Sequence, residues 1–572
     1  MSIRDEMRNW EGSTVAALVL SVAVIVAVTV LMTGLHLWAV FTGHAVSWNP
    51  WQVVADFMAG RLEMTASVWV CVAVVAVAGL AVVLLVRRIF AGPRRGQRRS
   101  RADKAAGLTG RPKDTQALSM QSAEAKAKRL GVQSDWVGLP IGRAVIAGRR
   151  WLVSSLEDVC LIIAGPRTGK TTCWVVPRIL GARGAVLATS NKRDIVDETI
   201  EARRRMGDVL VFDPQQLTNT QQAFWWNPLS YVTDSVSASA LTQVFVDATT
   251  DVNAQKSAYF DSAARDLVSA LLLAAARDGR PITDLHGWLT NQTDREPVRI
   301  LRRVGEDMTA DTLEGAMNLV SETRSGVYGS ASTIMSWLLN EQAMRWVTPH
   351  PFLPKFDPSE FVRSTGTLYC LSQEGRGSAA PVVTALTVAV TEAAVAEAKK
   401  QSSGRLPAPM LIELDEAANV CRWSELPNMY SHFGSRGIVV DTVLQSWSQG
   451  VAAWGEPGMK KLWSAANAAV YGGGVKEKSF LQDLSDMIGV HWVDSVQVSH
   501  SSQGTSRSTS RASQQRPIAT VAELQGLPAG RAWVLASGST AVLAELVPFW
   551  EPHPDALMQR PKAKETTKKG EQ

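Results

Sequence analysis

The clearest chemical pattern in the sequence is the run Ala164-Gly165-Pro166-Arg167-Thr168-Gly169-Lys170-Thr171. It approaches the form G-x-x-x-x-G-K-[ST], with Ala164 in place of the first glycine. Backbone N–H groups of such a loop, and of the helix after it, point at an anion. Lys170 would neutralise the β- and γ-phosphates, and the Thr171 hydroxyl would ligate Mg²⁺. The sequence therefore predicts a site for ATP and Mg²⁺, with Thr172 completing the set of contact residues.

The context of this loop favours a functional site over a chance match. Residues 159–163 form an apolar run immediately before it, and a helical pattern begins at Thr172. Pro177 must kink or shorten that helix, because proline has no backbone N–H. Strand, loop and helix are the structure that the motif requires.

A second apolar run, at 410–414, ends in the adjacent carboxylates Asp415 and Glu416. Asp415 would hold Mg²⁺, directly or through water. Glu416 would polarise the attacking water as a general base. An exposed acidic turn is the alternative, but the phosphate loop upstream favours a nucleotide site. Glu413, inside the apolar run, is assigned no role.

Gln445 ends the next apolar run, 437–444, where a polar side chain can sense the γ-phosphate. An ordinary polar strand end explains the residue equally well. Arg436, at the start of that run, is a candidate for a residue that acts across a subunit interface. The predicted catalytic residues are Lys170, Glu416 and Gln445.

Short apolar runs alternate with longer helical stretches from about residue 136 onward. Six runs are predicted to be buried strands: 161–163, 185–188, 209–212, 368–371, 410–414 and 438–444. Strands separated by helices indicate an α/β domain with a mainly parallel sheet. The alternation stops between 257 and 345, where helices are predicted at 263–276 and 312–339. The fold class is thus an α/β P-loop NTPase domain with an inserted all-α domain.

Two uncharged segments, 15–41 and 64–86, precede this domain, and each exceeds the roughly 20 residues that cross a membrane. A cleaved signal peptide is the alternative for the first, but that segment is too long and lacks a clear A-x-A site. Eight basic residues lie between 87 and 104, whereas the loop between the segments has only Arg61. The positive-inside rule places both termini and the ATPase domain in the cytoplasm, below the cell membrane. Topology explains the basic cluster better than contact with DNA or anionic lipid does.

The composition excludes several classes of protein. The 572 residues carry a net charge of only +6, which does not itself demand a polyanionic partner. The five cysteines are scattered and form no C-x-x-C pair, so a disulfide framework or a zinc site is not expected. Neither H-E-x-x-H nor G-x-S-x-G occurs, which gives no case for a metalloprotease or an esterase.

These patterns divide the chain into six parts. They are a membrane anchor (1–90, helices at about 15–41 and 64–86), a basic cytoplasmic linker (91–135), the first part of the nucleotide-binding domain (136–256), the all-α insertion (257–345), the second part of the nucleotide-binding domain (346–555) and a charged disordered tail (556–572). The Ser-, Arg- and Gln-rich stretch 499–515 is predicted to be a mobile loop.

Further motifs resemble those of a known family. They are Val176-Pro177-Arg178-Ile179-Leu180, Ser190-Asn191-Lys192-Arg193-Asp194, Val211-Phe212-Asp213-Pro214, Trp226-Asn227-Pro228-Leu229, Gly366-Thr367-Leu368-Tyr369, Leu414-Asp415-Glu416-Ala417-Ala418-Asn419 and Leu444-Gln445-Ser446-Trp447-Ser448-Gln449. With the two N-terminal spans, this order resembles the type IV coupling proteins of conjugation, the TraG/TraD class, over about 137–552. Two features depart from the family: the usual Asp-Pro-Lys-Gly is replaced at 190–193, which puts a role for Lys192 in doubt, and the outer loop is short.

The resemblance implies a RecA-like motor that assembles as a homo-hexameric ring at the membrane. It would recruit a relaxase bound to single-stranded DNA and feed it to a type IV secretion channel, with the all-α insertion linked to substrate recognition. The alternatives are an FtsK-like translocase of double-stranded DNA, a nucleotide-gated membrane scaffold and a coupling-type ATPase that recruits only proteins. The helical insertion and Trp226-Asn227-Pro228-Leu229 favour the coupling class, and the intact phosphate loop and acidic pair argue against a scaffold.

Overall fold

The computed structural model describes residues 12–90, 101–132, 136–146, 148–249, 258–375, 377–500 and 507–558. Residues 91–100 of the predicted linker, the tip 501–506 of the predicted mobile loop and most of the predicted tail lie outside these ranges. The chain divides into two compact units, Met1–Arg98 and Arg99–Gln572.

The first unit contains helices α1 (Gly12–Thr42), α2 (Pro50–Met58) and α3 (Ala66–Phe90). The segment predicted at 15–41 lies within α1, and most of the segment predicted at 64–86 lies within α3. Among the described residues, Val24–Thr42 is long and apolar enough to cross a membrane, with a mean hydropathy of 2.2. Many of its apolar side chains are exposed, including Val24, Ile25 and Val26. Such a surface suits contact with lipid better than contact with water.

The second unit is built on an eleven-stranded sheet in the order β2-β1-β13-β12-β9-β3-β8-β7-β4-β6-β5. Its strands are β1 (Leu139–Ala144), β2 (Trp151–Ser154), β3 (Cys160–Ile163), β4 (Val186–Ser190), β5 (Val209–Phe212), β6 (Thr367–Leu371), β7 (Met410–Leu414), β8 (Ile438–Leu444), β9 (Ala468–Tyr471), β12 (Arg531–Ala536) and β13 (Val542–Glu545). From β9 to β5 the neighbours run parallel, and the four strands beyond β9 pair antiparallel. The predicted α/β fold with a mainly parallel sheet is confirmed, since the six predicted runs correspond to β3–β8.

The sheet is buried on both faces. Leu161 and Ile163 of β3 point into one apolar cluster, and Cys160 and Ile162 point into another. Successive side chains of a strand alternate between faces, so a run with no polar residue needs cover on both. Helix Ala380–Lys400 belongs to this cover. It is long and apolar enough to cross a membrane, but it is 83% buried inside the unit and is therefore a core helix.

The helices of the second unit, in chain order, are α4 (Arg101–Ala105), α5 (Met120–Arg129), α6 (Val176–Gly181), α7 (Asp194–Arg203), α8 (Ser235–Thr249), α9 (Ala258–Arg277), α10 (Asp284–Thr290), α11 (Glu296–Arg303), α12 (Asp307–Met317), α13 (Ser321–Ile334), α14 (Glu341–Val347), α15 (Pro358–Phe361), α16 (Ala380–Lys400), α17 (Ala417–Val420), α18 (Leu426–Phe433), α19 (Trp447–Ala465), α20 (Lys478–Ile488) and α21 (Val521–Gln525). Between 258 and 347 there are only helices and their connections. The single helix predicted at 312–339 is instead the pair α12 and α13.

The prediction of a mobile loop at 499–515 is wrong for the residues that the structure describes. Strand β10 (Val490–His500) pairs antiparallel with β11 (Arg507–Pro517), and His500 lies opposite Arg507. Four of the eleven residues of β10 are valine, a β-branched residue that is enriched in strands. The polar composition of β11 hid its pairing, because the hydrogen bonds of a ladder come from the backbone.

Residues 101–132, part of the predicted linker, pack on the second unit. The Thr109 hydroxyl donates to the carbonyl of Ala541 at 2.8 Å. The ammonium of Lys126 lies 3.6 Å from the carboxylate of Asp158. This segment therefore belongs to the same compact unit as the sheet.

Candidate nucleotide-binding site

The phosphate loop lies at the carboxyl edge of the parallel strands, near one end of the parallel part of the sheet. It follows β3, which pairs with β8 on one side and β9 on the other. Ile163, the last residue of β3, lies opposite Leu444 of β8 and Tyr471 of β9. Ligands of open α/β sheets bind outside the carboxyl ends of their strands. The loop therefore occupies the expected place for an anion site.

The shape of the loop depends on glycine at two positions. The backbone N–H of Gly165 donates to the carbonyl of Gly473 at 2.8 Å. A Cβ atom on Gly165 would lie 2.3 Å from the carbonyl oxygen of Gly474, so no other residue fits. Gly169 has φ +90°, a conformation that L side chains rarely adopt. Arg167 also has a positive φ, 61°, which stores backbone strain at the loop tip.

The residues Gly472, Gly473 and Gly474 follow β9 and pack against the phosphate loop. Sequence reasoning missed them as part of the site. Three consecutive glycines after the apolar run 468–471 are the signal that marks a close approach of two backbones.

Lys170 lies inside the loop and faces the acidic pair. Its ammonium donates to the carbonyl oxygens of Ala164 at 2.7 Å and Gly165 at 3.1 Å. Burial lowers the pKa of Lys170, and the nearby carboxylates of Glu416 and Asp415 oppose that shift. The charge is thus positioned where phosphate oxygens would replace the two carbonyls as its partners.

The predicted contacts after the lysine begin a short helix. Thr171–Val175 forms one π-helical turn, and α6 follows with Pro177 in its first turn. The Thr168 hydroxyl donates to the Gly165 carbonyl at 2.8 Å, and the Thr172 hydroxyl donates to the Gly169 carbonyl at 3.3 Å. Pro177 is accommodated because its N–H is not needed in a first turn.

Asp415 lies directly beyond β7 and is 4% exposed. The Ser190 hydroxyl donates to its Oδ2 atom at 3.1 Å, and its Oδ1 atom has no hydrogen-bond partner among the described residues. Burial and the charge of Glu416 raise the pKa of Asp415 to about 7, against the effects of Ser190 and Lys170. A buried carboxylate with an unpaired oxygen is stabilised by a cation. The environment of Asp415 therefore fits a magnesium ligand, as predicted for it together with Thr171.

Glu416 and Gln445 contact each other across neighbouring strands. The Nε2 atom of Gln445 lies 2.8 and 2.7 Å from the two carboxylate oxygens of Glu416. Glu416 has φ 54°, which turns the chain sharply from β7 into α17. Gln449 supports the pair: its Oε1 atom accepts from the Gln445 backbone at 2.9 Å, and its Nε2 atom donates to Asn419 at 2.9 Å. Sequence reasoning gave Gln449 and Asn419 no role in the site.

A buried charged cluster lies below the site. Arg178 of α6 and Asp441 of β8 are both fully buried, and the Nη2 and Oδ1 atoms are 2.8 Å apart. Glu413 of β7 pairs in register with Asp441. Burial and the Asp441 carboxylate raise the pKa of Glu413 well above its ordinary value. The cluster ties the helix after the phosphate loop to the strands that carry Glu416 and Gln445.

Arg436 is not part of this site. It precedes β8 at the amino end, whereas the phosphate loop, Asp415 and Gln445 lie at the carboxyl ends of their strands. Seven residues of β8 separate the two edges by roughly 23 Å. The proposed action of Arg436 across a subunit interface therefore remains a prediction.

The sheet topology and the phosphate loop together are those of an α/β P-loop NTPase. Comparison with known proteins indicates which P-loop NTPases the chain is similar to. Residues 409–529 match the family described as the TraM recognition site of TraD and TraG. The solved structure of the bacterial conjugative coupling protein TrwBdeltaN70 shares 18% identity over 76% of this chain and 94% of that chain, with a TM-score of 0.51. No curated protein matches the sequence.

Two nucleotide complexes of the plasmid coupling protein TrwB have the same fold. The complex with the GTP analogue GDPNP shares 17% identity over 76% of this chain and 95% of that chain, with a TM-score of 0.52. The complex with ADP and Mg²⁺ shares 16% identity over 76% of this chain and 94% of that chain, with a TM-score of 0.51. The predicted resemblance to the type IV coupling proteins is confirmed.

Proposed function

We propose that this chain is a membrane-anchored ATPase that couples single-stranded DNA, with its bound relaxase, to a type IV secretion channel and drives DNA transfer by ATP hydrolysis. One observation carries the proposal: four side chains meet at one edge of a sheet whose fold matches a conjugative coupling protein. They are Lys170, Asp415, Glu416 and Gln445.

ATP binds through the phosphate loop, residues 164–172. Backbone N–H groups and Lys170 would contact the phosphate oxygens, and Thr171 and Asp415 would hold Mg²⁺. Bound there, the ion would supply charge neutralisation. The unpaired Oδ1 atom of Asp415 supports this assignment. The complexes of TrwB with a GTP analogue and with ADP and Mg²⁺ give further support.

Glu416 acts as the general base for the attacking water. A base must be held in one orientation to contribute its full effect. Gln445 provides that orientation through contacts with both carboxylate oxygens. A γ-phosphate placed beside Lys170 would compete for the amide of Gln445, so the same residue can report whether ATP or ADP is bound.

The first unit anchors the motor in the cell membrane. Helices α1 and α3 provide two spans, and the Arg-rich segment after α3 favours the cytoplasm for both termini and for the ATPase domain. The chain assembles as a homo-hexameric ring. The helical region 257–345 recognises the DNA–relaxase substrate, and the family match at 409–529 supports a further protein contact there.

The proposal is tested by ATP hydrolysis of the full chain in lipid nanodiscs. Rates are measured without DNA, with single-stranded DNA and with double-stranded DNA, and Lys170→Ala provides the blank. We expect stimulation by single-stranded DNA that is absent in the blank. A preference for double-stranded DNA would favour an FtsK-like translocase. Binding of ATP without hydrolysis under every condition would favour a nucleotide-gated scaffold.

A further inference from the structure

Different strands lie on the two sides of β3, the strand that precedes the phosphate loop. Strands β8 and β7, which carry Gln445 and Glu416, lie on one side of β3. Strands β9, β12 and β13 lie on the other. The γ-phosphate of a bound nucleotide points toward Lys170 and the acidic pair. The nucleoside of the bound nucleotide must therefore lie on the opposite side from Glu416, toward β9 and β13.

The chain after β13 returns to the phosphate loop on that side. The backbone N–H of Phe549 donates to the carbonyl of Thr172 at 2.9 Å. The Phe549 ring packs against an apolar cluster formed by Val176, Leu180 and Met558, two of them from α6. The segment around Phe549 is therefore fixed to the helical turn that carries the last predicted nucleotide contacts, Thr171 and Thr172.

Trp550 follows Phe549 directly, and its side chain is exposed to solvent. Its side chain is 62% exposed, although tryptophan carries a large apolar ring. The rings of Phe549 and Trp550 meet edge to face, with centroids 5.1 Å apart and an interplanar angle of 75°. Packing on a fixed neighbour limits the movement of the indole while leaving ring surface open to solvent.

We propose that Trp550 is a stacking surface for the nucleobase of the bound nucleotide. The inference rests on the proposed nucleotide-binding function and adds a subsite to it. A flat aromatic ring stacks on any base, since every base has a π-face. The subsite therefore takes a nucleobase by its face and holds adenine and guanine with similar affinity.

The test compares nucleotides with a ligand that has phosphates but no base. Dissociation constants of ATP, GTP and inorganic tripolyphosphate are measured by calorimetry on the full chain in nanodiscs. The variants are Trp550→Ala and Trp550→Phe, and Trp492→Ala serves as a control because Trp492 is also exposed, at 66%, and lies on β10. Thermal unfolding midpoints confirm that each variant is folded.

Trp550→Ala is expected to weaken ATP and GTP about tenfold, with tripolyphosphate unchanged. Trp550→Phe retains stacking and stays within about threefold of the wild type. Unchanged ATP affinity in Trp550→Ala, or an equal loss for tripolyphosphate, would overturn the stacking role while leaving the proposed function intact. A wild-type chain that binds no ATP would overturn the proposed function and this subsite together.

Discussion

Gln445 holds both carboxylate oxygens of Glu416, at 2.8 and 2.7 Å, from the end of the neighbouring strand. The two residues are 29 positions apart in sequence, and the pairing of β7 with β8 brings them together. The strand end that we propose to sense phosphate and the strand end that we propose to activate water are thus linked by one amide group. Any shift of β8 relative to β7 changes the orientation of the base.

Replacing Gln445 is expected to slow hydrolysis without preventing ATP binding. Gln445→Ala frees the Glu416 carboxylate, and loss of such an orienting partner costs about 10- to 100-fold in activity. Steady-state hydrolysis and ATP affinity are measured on the same preparation. Gln482→Ala is the matched control, because Gln482 is an exposed glutamine on α20. Wild-type turnover in Gln445→Ala would show that Glu416 does not depend on this contact.

Loss of either partner of the Arg178–Asp441 ion pair is expected to destabilise the second unit. Asp441→Ala leaves a fully buried guanidinium without its carboxylate, which costs about 3–5 kcal/mol. A lower midpoint of thermal unfolding is the readout. The exposed pair Arg193–Asp197 is the control, since Arg193→Ala should leave the midpoint nearly unchanged. Equal midpoints for the two variants would argue against a structural role for the buried pair.

Gly165→Ala is expected to disrupt the phosphate loop. The added methyl group would lie 2.3 Å from the carbonyl oxygen of Gly474, so the loop must move. A displacement of about 1 Å can cost about 10²-fold in rate. Gly315→Ala, on α12 with open space around its Cβ position, should leave hydrolysis unchanged. Similar hydrolysis rates in the two variants would mean that the packing of Gly474 on the loop is dispensable.

The two-span topology predicts which cysteines an impermeant maleimide reaches in intact cells. Ala45→Cys lies in the short loop after α1 and should be labelled from outside. Ser403→Cys lies on the surface of the second unit and should be labelled only after permeabilisation. The chain without an added cysteine gives the background from its five native thiols. Labelling of Ser403→Cys in intact cells would reverse the proposed orientation.

Six of the seven parallel strands, β3 to β8, could be predicted because they are buried on both faces, whereas the parallel strand β9 was missed. Each of β3 to β8 is a short apolar run, and the phosphate loop and the acidic pair follow two of them. Such signals are local, so one sequence suffices to find them.

The antiparallel edge could not be predicted in the same way. Arg143 of β1 pairs with Glu545 of β13, more than 400 residues later, and no local sequence pattern predicts that pairing. A long separation in sequence also hides the contact of Phe549 with Thr172. The support of Gln445 by Gln449 depends on side-chain geometry that composition does not encode. The structure therefore adds to the sequence prediction the strand pairs that are distant in sequence and the side chains that support the site residues.

The proposed hydrolysis of ATP depends on Lys170 binding the phosphates and Glu416 activating water. The most direct measurement determines ATP affinity and steady-state hydrolysis together for the full chain, Lys170→Ala and Glu416→Gln. We expect Glu416→Gln to bind ATP with nearly wild-type affinity and to hydrolyse it about 10²- to 10⁴-fold more slowly, whereas Lys170→Ala loses binding and hydrolysis. Hydrolysis by Glu416→Gln at the wild-type rate, or ATP binding that does not need Lys170, would contradict the account.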